Sequence, residues 1–353
     1  MNSSEKDFFL AQEASDKKSL ALVRQNREKL IAEGCYPEKF RMPLGLQLEL
    51  TSKCNLSCKH CYNLSGIDSP KDKMGIPEWV DFAKGLVANG GIFQATITGG
   101  EPLILGEGLF DILDILSDDG TVFNLISNGF LFSKKIGKRL EKYNFFWIQI
   151  SIDSSEESIH DEFRGAKGSW RKAIEAANWV SNSGIPLRIA STISSSTLHE
   201  VDRICEMAKT IGATYVVLGD VIPSGRAFEH KDIFLSDDER KVLFRKIQDA
   251  SKRYENELLV LGGGSVKTQL EYASQPPIDG AIIRPDGNIR LDCSSPFVLG
   301  NVLENDFFEI WNSTPSDCWK HNLVQNYVNS VEYSSGSSPI IQNYLSPDIR
   351  ISK

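Results

Sequence analysis

The sequence places three cysteines within eight residues, and these are the side chains best suited to chemistry. Cys54, Cys58 and Cys61 follow a Cys-x-x-x-Cys-x-x-Cys spacing. Closely spaced thiolates on a loop can surround one metal centre, because soft sulfur ligands suit zinc and iron–sulfur clusters. A closed zinc site needs a fourth ligand, and His60 is adjacent to Cys61 and is not expected to reach the same metal. A four-iron cluster on three thiolates leaves one iron open to reaction, so the spacing favours a cluster, with zinc as the alternative.

The composition is that of an ordinary globular chain without a disulfide framework. Seven cysteines are an odd number in 353 residues, and no signal-peptide pattern opens the sequence, so reduced thiols are expected. With 39 Lys+Arg against 47 Asp+Glu, the net charge of −8 argues against nucleic acid as the main partner. No apolar run approaches the roughly 18 residues of a membrane span. We therefore expect a cytoplasmic protein with neither a nucleic-acid nor a membrane partner.

Alternating strand and helix patterns must position the cysteine loop. The strand-like runs are Leu44–Thr51, Ile92–Thr98, Val122–Ser127, Phe145–Ile152, Leu187–Ile193 and Tyr215–Leu218. The helical runs between them are Pro77–Asn89, Gly108–Leu116, Ser133–Tyr143, Ser169–Ser183 and Leu198–Ile211. Strands separated by helices predict a parallel sheet, since parallel neighbours need crossover connections. Six units are too few for a closed eight-stranded barrel, so the predicted fold class is α/β, a partial (β/α)6 TIM-like barrel with its chemistry at the C-terminal strand ends.

The chain divides into three predicted parts. Residues 1–43 are expected to form a polar helical lead-in, residues 44–225 the partial barrel, and residues 226–353 a linker helix with a small α+β C-terminal domain. In the last part, Ser236–Tyr254 predicts a strongly charged helix. Ile282–Leu291 predicts a β-hairpin, because Pro-Asp-Gly-Asn supplies residues that favour its turn.

The cysteine loop, directly after the first strand, resembles that of the radical S-adenosylmethionine (SAM) superfamily. The hallmark of that family is this cysteine spacing with an aromatic residue beside the last cysteine, as Tyr62 is here. The resemblance implies that Cys54, Cys58 and Cys61 hold one [4Fe-4S] cluster whose open iron binds SAM. An electron from the reduced cluster would cleave SAM to methionine and a 5′-deoxyadenosyl radical, which abstracts hydrogen from a substrate. It also implies an electron donor such as flavodoxin or ferredoxin.

The resemblance extends to residues at successive strand ends that relatives use to bind SAM. The residues it assigns to SAM are Gly99, Gly100, Glu101, Ser127, Asn128, Ser151, Asp153 and Arg164. The Gly-Gly-Glu-Pro element would hold the methionine amino group, and its glycines would let the backbone approach the ligand closely. Small polar and acidic side chains at the end of the fourth strand would meet the ribose hydroxyls. The arginine would bind the methionine carboxylate, which suits its planar fork.

Residues 280–312 resemble the start of a SPASM domain, a C-terminal extension of radical enzymes that normally carries auxiliary iron–sulfur clusters. The match lies in a Pro-Asp-Gly turn, a Leu-Gly-Asn segment and a Glu-Ile-Trp helix, and the Pro223–Ala227 loop is also common in that group. Only Cys293 and Cys318 follow residue 290. Two cysteines cannot supply the usual four thiolates, so we infer a SPASM-like shape without auxiliary clusters. One cluster with unusual ligands, including Cys205 or a histidine, is the alternative.

Two roles are open for Cys293, which lacks its cluster partners. It is either a relic packed as a small apolar residue, which we favour, or a thiol that donates a hydrogen atom to the substrate radical. Residues 313–353 are rich in Ser and Asn and are predicted to be loops.

The expected function is that of a radical SAM enzyme acting on a ribosomally made peptide in a natural-product pathway, as many SPASM relatives do. Against a peptide substrate, residues 1–43 are short for the leader-binding domain that many such enzymes carry. The alternative is a small metabolite, such as a sugar, nucleotide or tetrapyrrole precursor, with redox-neutral chemistry that needs no internal electron acceptor. A degenerate binder without activity is disfavoured, because the cysteines and the Gly-Gly-Glu element are intact.

Overall fold

The fold is built on one large sheet with helices packed against its parallel strands. The computed structural model describes residues 3–66, 69, 71–263, 266–331 and 347–351, with side chains from residue 18 onward. Within these ranges the strands are β1 (Gly45–Glu49), β2 (Gln94–Thr98), β3 (Val122–Ser127), β4 (Phe145–Ser151), β5 (Leu187–Ile193), β6 (Tyr215–Asp220), β7 (Leu259–Gly262), β8 (Gly280–Ile283), β9 (Asn288–Arg290), β10 (Phe297–Asn301) and β11 (Ile349–Arg350). The helices in the same ranges are α1 (Ser3–Ala32), α2 (Ile76–Ala88), α3 (Glu107–Asp118), α4 (Lys134–Leu140), α5 (Glu157–Arg164), α6 (Ser169–Asn182), α7 (Val201–Ile211), α8 (Asp237–Arg253), α9 (Val266–Ala273), α10 (Phe307–Ser313) and α11 (Asn322–Ser330).

The parallel part of the sheet confirms the predicted fold class. Its order is β8-β1-β2-β3-β4-β5-β6-β7, and every neighbouring pair in this run is parallel. The six predicted strands are neighbours in chain order, and β7 and β8 extend the run on either side. Among the described residues, β7 and β11 are the two edges, so the sheet is open rather than closed into a full barrel.

Alternation along the strands separates a helix-covered face from an inner face. In β5, Leu187, Ile189 and Ile193 are buried in the main apolar core together with residues of α6 and α7. Arg188 and Thr192 occupy alternate positions and therefore point to the opposite face. Strand register places the residues of this inner face in rows, and they include Gln47, Thr96, Asn124, Trp147, Gln149, Ser151, Arg188, Thr192 and Tyr215.

The C-terminal region is more regular than the sequence predicted. Ile282–Leu291 forms the predicted hairpin as β8 and β9, and β8 pairs with β1. The prediction of loops over residues 313–353 is wrong for α11 and β11; within it, residues 332–346 lie outside the described residues. The sequence did not predict α11, because this helix is largely polar and buries only Val324 and Val328.

The end of the described chain is fixed to the hairpin by charge. Asp348 accepts hydrogen bonds from Arg284 Nη1 at 2.9 Å and from Asn288 Nδ2 at 2.7 Å. Both β7 and β8 lie beyond the predicted boundary at residue 225 and still pair with barrel strands, and the three-part division stays a prediction. No helix in the described ranges is long and apolar enough to cross a bilayer.

Candidate functional site

The cysteine loop leaves the C-terminal end of β1, where the sequence predicted the chemistry. Cys58 is buried, whereas Cys54 and Cys61 are partly exposed. The two residues before the loop, Thr51 and Ser52, are held by Asp72. The Asp72 carboxylate accepts a hydrogen bond from the backbone N–H of Ser52 at 2.9 Å and one from the Thr51 hydroxyl at 2.5 Å. Because this segment forms neither helix nor strand, its path depends on such side-chain bonds.

The three thiols fit a cationic centre that would hold them as thiolates. Burial raises the pKa of Cys54 to about 11 and that of Cys58 to about 12, so a cationic centre is needed to hold them as thiolates. Across the described residues, no three His, Cys, Asp or Glu side chains converge closely enough to bind one metal ion. In a four-iron cluster each cysteine ligates a different iron, so its sulfurs stand farther apart than the ligands of one zinc.

Arg226 holds the cysteine loop from the loop that follows β6. Its Nη1 donates to the carbonyl oxygen of Cys58 at 2.8 Å, and its Nη2 donates to that of Ser65 at 2.7 Å. Its backbone N–H donates to the carbonyl oxygen of Cys61 at 2.9 Å. The sequence pointed to the Pro223–Ala227 loop but not to this function, because a contact over more than 160 residues has no local signal.

Gly225 lets the chain beside Arg226 approach the cysteine loop closely. It has φ of +59°, and a Cβ there would lie 2.3 Å from the carbonyl oxygen of Cys61. We expect Gly225→Ala to lower the free energy of unfolding by about 2–4 kcal/mol, from left-handed strain together with the clash. Gly168→Ala is the matched control, because Gly168 has φ of +81° with no atom within 4 Å of the added Cβ. That variant should lose only about 1–2 kcal/mol. Equal losses in urea titrations of the two variants would contradict the role of the close approach.

Glu101 joins the ends of β2 and β3 below the cysteine loop. Its Oε1 accepts from the Ser127 hydroxyl at 2.9 Å and from the backbone N–H of Leu103 at 3.1 Å. Its Oε2 accepts from the backbone N–H of Asn128 at 2.8 Å, and burial raises the pKa of Glu101 to about 7. The Asn128 amide in turn donates to the Cys54 sulfur at 3.7 Å. Three residues assigned to SAM are therefore linked to each other and to a cysteine.

Gly99 and Gly100 approach the backbone before the cysteine loop. A Cβ at Gly99 would lie 2.4 Å from the carbonyl oxygen of Thr51, and one at Gly100 would lie 2.1 Å from that of Lys53. The backbone N–H of Gly100 donates to the carbonyl oxygen of Thr51 at 2.6 Å. The sequence predicted that these glycines let the backbone approach SAM. In the structure they let it approach the backbone of residues 51–53, and this contact holds the cysteine loop against the end of β2.

Asp153 and Arg164 form a fully buried ion pair beside Cys58. Arg164 Nε donates to Asp153 Oδ2 at 2.6 Å, and Asp153 Oδ1 accepts from the backbone N–H of Thr192 at 2.9 Å. Burial alone would raise the pKa of Asp153, but the Arg164 guanidinium outweighs it, and the pKa falls to about 2. Arg164 Nη1 also lies 4.0 Å from the Cys58 sulfur. The resemblance assigned these two side chains to different parts of SAM, whereas here they bind each other.

Two further polar residues near this ion pair, Ser151 and His60, differ in the contacts that they make. Ser151 ends β4 on the inner face, and its hydroxyl has no hydrogen-bond partner within the described part of the chain. His60 stacks on Phe163 with ring centroids 4.3 Å apart, and its Nε2 lies 4.0 Å from Asp153 Oδ2. His60 is therefore directed to the ion pair, and its exclusion as a metal ligand stays a prediction.

The other cysteines lie away from the loop. Cys205 has no exposed surface and packs in α7 within the main core, and Cys318 is 6% exposed in the same core. Cys293 lines a cavity of about 260 Å³ together with Gln47 and Thr96. Because β9 runs antiparallel to β8, Cys293 returns to the N-terminal ends of the strands, opposite the end that carries the cysteine loop.

Fold and site together define a class of protein: an open parallel α/β barrel whose first strand runs into a loop with three cysteines. The family model described as the radical SAM superfamily matches residues 48–211. Residues 48–211 therefore form a radical SAM domain, and the enzymes of that superfamily use a [4Fe-4S] cluster and SAM. The expected family and its cofactors are thereby confirmed.

Individual relatives agree with this assignment. The chain is 27% identical over 271 residues to the sporulation killing factor maturation protein SkfB of Bacillus subtilis, covering 76% of this chain and 65% of SkfB. It is 30% identical over 211 residues to the AdoMet-dependent heme synthase of Methanosarcina barkeri, covering 60% of each protein. The chain thus spans less than two thirds of the length of either relative. The fold is similar to that of Streptococcus suis SuiB bound to S-adenosylmethionine, with a TM-score of 0.65, 16% identity, and coverage of 92% of this chain and 84% of SuiB.

Proposed function

We propose that this chain uses a [4Fe-4S] cluster on Cys54, Cys58 and Cys61 to cleave SAM reductively, and that it acts on a ribosomally made peptide. The cluster would supply the electron and the open iron that SAM cleavage requires. The observation that carries the proposal is the arrangement of the three cysteines on one loop at the end of β1, held in place by Arg226. A separate protein, such as a flavodoxin or ferredoxin, would deliver the electron.

The residues around the loop would act in two ways. Glu101 and Asn128 would fix the ends of β2 and β3 relative to Cys54, since their side chains are already bonded to protein groups. The backbone carbonyl oxygens of Gly99 and Gly100 and the open Ser151 hydroxyl are the groups we propose for SAM itself, because the N–H groups of Gly100 and Glu101 already donate to Thr51 and Lys53. For Cys293 we propose the packed role, because burial raises its pKa and it lies at the far end of the strands.

The peptide substrate is supported by relatives that modify ribosomal peptides, among which SkfB is named as a maturation protein. The heme synthase of M. barkeri is 30% identical, which favours a tetrapyrrole as the second candidate. Co-expression with any short peptide encoded beside the gene separates the two. A mass change in that peptide that depends on Cys58 supports the first candidate, and an unchanged peptide contradicts it.

Iron content tests the cluster assignment. We expect anaerobic reconstitution to give about four irons per chain, because only one three-cysteine site is proposed. Reduction with dithionite in the presence of SAM should then release 5′-deoxyadenosine, measured by liquid chromatography. A reproducible value near eight irons per chain would show a second cluster. One metal ion per chain with no release of 5′-deoxyadenosine would instead favour a zinc site.

A further inference from the structure

Arg188 lies on the inner face, and its side chain has no protein partner among the residues that the structure describes. Arg188 lies on β5 with its guanidinium over the Trp147 ring, 4.7 Å from the ring centroid. Its Nε is buried without an acceptor, and no described residue forms a hydrogen bond or ion pair with its side chain. We propose that Arg188, oriented by Trp147, binds a carboxylate of the substrate within the barrel.

Other enclosed arginines of this protein show what Arg188 lacks. Arg164 binds Asp153, Arg240 binds Asp220 at 2.5 Å, and Arg284 binds Asp348 at 2.9 Å. Burial lowers the pKa of the Arg188 guanidinium, and no neighbouring carboxylate counters that effect. Arg188 is half-buried with its Nε enclosed, so the lack of a counter-charge costs some free energy in the empty protein. A ligand carboxylate removes that cost, so the site favours an anion over a neutral group.

The surroundings of Arg188 specify the ligand further. Strand register places Gln149 and Tyr215 beside it on the inner face, one on each neighbouring strand. These side chains offer an amide and a phenol for hydrogen bonds, and Trp147 adds an aromatic surface. A planar guanidinium stacked on a ring presents its remaining N–H groups edge-on, which matches a carboxylate.

The position of Arg188 makes it an anchor rather than a group at the reacting carbon. Arg188 precedes Thr192 by four residues on β5, and Thr192 donates its N–H to Asp153 beside Cys58. Four residues of strand span about 13 Å. A ligand held by Arg188 and reaching the cysteine end of the barrel must therefore be extended, as a peptide is. Two peptide carboxylates fit: an Asp or Glu side chain, and the chain's own C-terminus.

The test measures binding of small probes to the anaerobically reconstituted full chain, through tryptophan fluorescence at constant ionic strength. The probes are N-acetylglutamate α-amide for the side-chain carboxylate, N-acetylalanylglycine for the C-terminal carboxylate, and N-acetylglutamine amide as the neutral isostere. We expect saturable binding of at least one carboxylate probe and none of the neutral one. The better carboxylate probe identifies the source. Trp147→Phe should abolish the signal, which locates it at this site.

Variants give the decisive comparison. Arg188→Gln should weaken carboxylate binding by about tenfold or more, the effect of losing one charge-assisted hydrogen bond. Arg171→Gln is the control, because Arg171 is an exposed arginine on α6. Equal binding by Arg188→Gln and the parent, equal binding of the neutral isostere, or no saturable binding to the parent would each overturn the proposal. It deepens the proposed function, but binding is read without SAM cleavage, so the two can fail separately.

Discussion

Replacement of Cys54, Cys58 or Cys61 by Ala is expected to abolish both cluster assembly and 5′-deoxyadenosine release. Each thiolate would hold a different iron, so two remaining cysteines cannot retain the cluster in a loop that is open to solvent at Cys54 and Cys61. The iron content should fall from about four irons per chain to the value measured for the parent protein after its iron has been removed with a chelator. The measurement is iron by colorimetry together with 5′-deoxyadenosine after dithionite reduction.

Cys205→Ala is the matched control for these three variants. Cys205 has no exposed surface and lies in the apolar core on α7, so its replacement removes a buried sulfur far from any loop. That variant should lose about 1 kcal/mol of stability and keep its iron. Retention of the cluster by Cys58→Ala, or its loss from Cys205→Ala, would mean that the cluster is not where we place it.

The barrel could be predicted because its signals are local. Val122–Ser127 and Leu187–Ile193 are strands with the predicted bounds, since alternating or continuous apolar runs between turn residues fix a strand without help from the rest of the chain. α5 was not predicted, because it is only eight residues long and buries just three side chains. α11 was missed for the same reason.

The site was predictable as a set of residues but not as a set of contacts. The spacing of the cysteines is visible in the sequence, and their loop lies at a strand end as predicted. The pairing of Asp153 with Arg164 is not visible, because both residue types would also suit a ligand and 11 positions separate them. Arg226 and Arg188 went unnoticed for a related reason: a lone arginine has meaning only once its neighbours in space are known.

Arg164→Ala is expected to be the most damaging single change outside the cysteines. It leaves the fully buried Asp153 carboxylate without its counter-charge, which should lower the free energy of unfolding by about 3–5 kcal/mol. Glu162→Gln is the control on the same helix, because the Lys59–Glu162 pair is largely exposed and should be worth less than about 1 kcal/mol. The measurement is a urea titration at neutral pH.

The pH dependence of this pair has a defined sign. The pKa of Asp153 in the folded protein, about 2, lies below its ordinary value near 4, so the pair stabilises the fold fully above about pH 4. The contribution is lost as pH falls through about 2. In Arg164→Ala, uncompensated burial raises the pKa of Asp153 above its ordinary value, so protonation relieves the variant as the pH falls. The difference between the parent and Arg164→Ala should therefore be largest near pH 8 and shrink towards pH 5, and a difference that grows as the pH falls would contradict the ion pair.

The double variant Asp153→Asn with Arg164→Met separates a structural role from cofactor binding. It removes both charges while keeping volume, so most of the stability lost in Arg164→Ala should return. If Arg164 also binds the methionine carboxylate, this stable double variant will still bind SAM at least tenfold more weakly than the parent, because one charge-assisted hydrogen bond is worth at least about 1.4 kcal/mol. If the double variant regains both stability and SAM affinity, the function of Arg164 is to hold Asp153 in place beside Cys58. The contacts of Arg164 lead us to expect this result. The two outcomes differ in an equilibrium constant rather than in activity, so an inactive variant cannot obscure the answer.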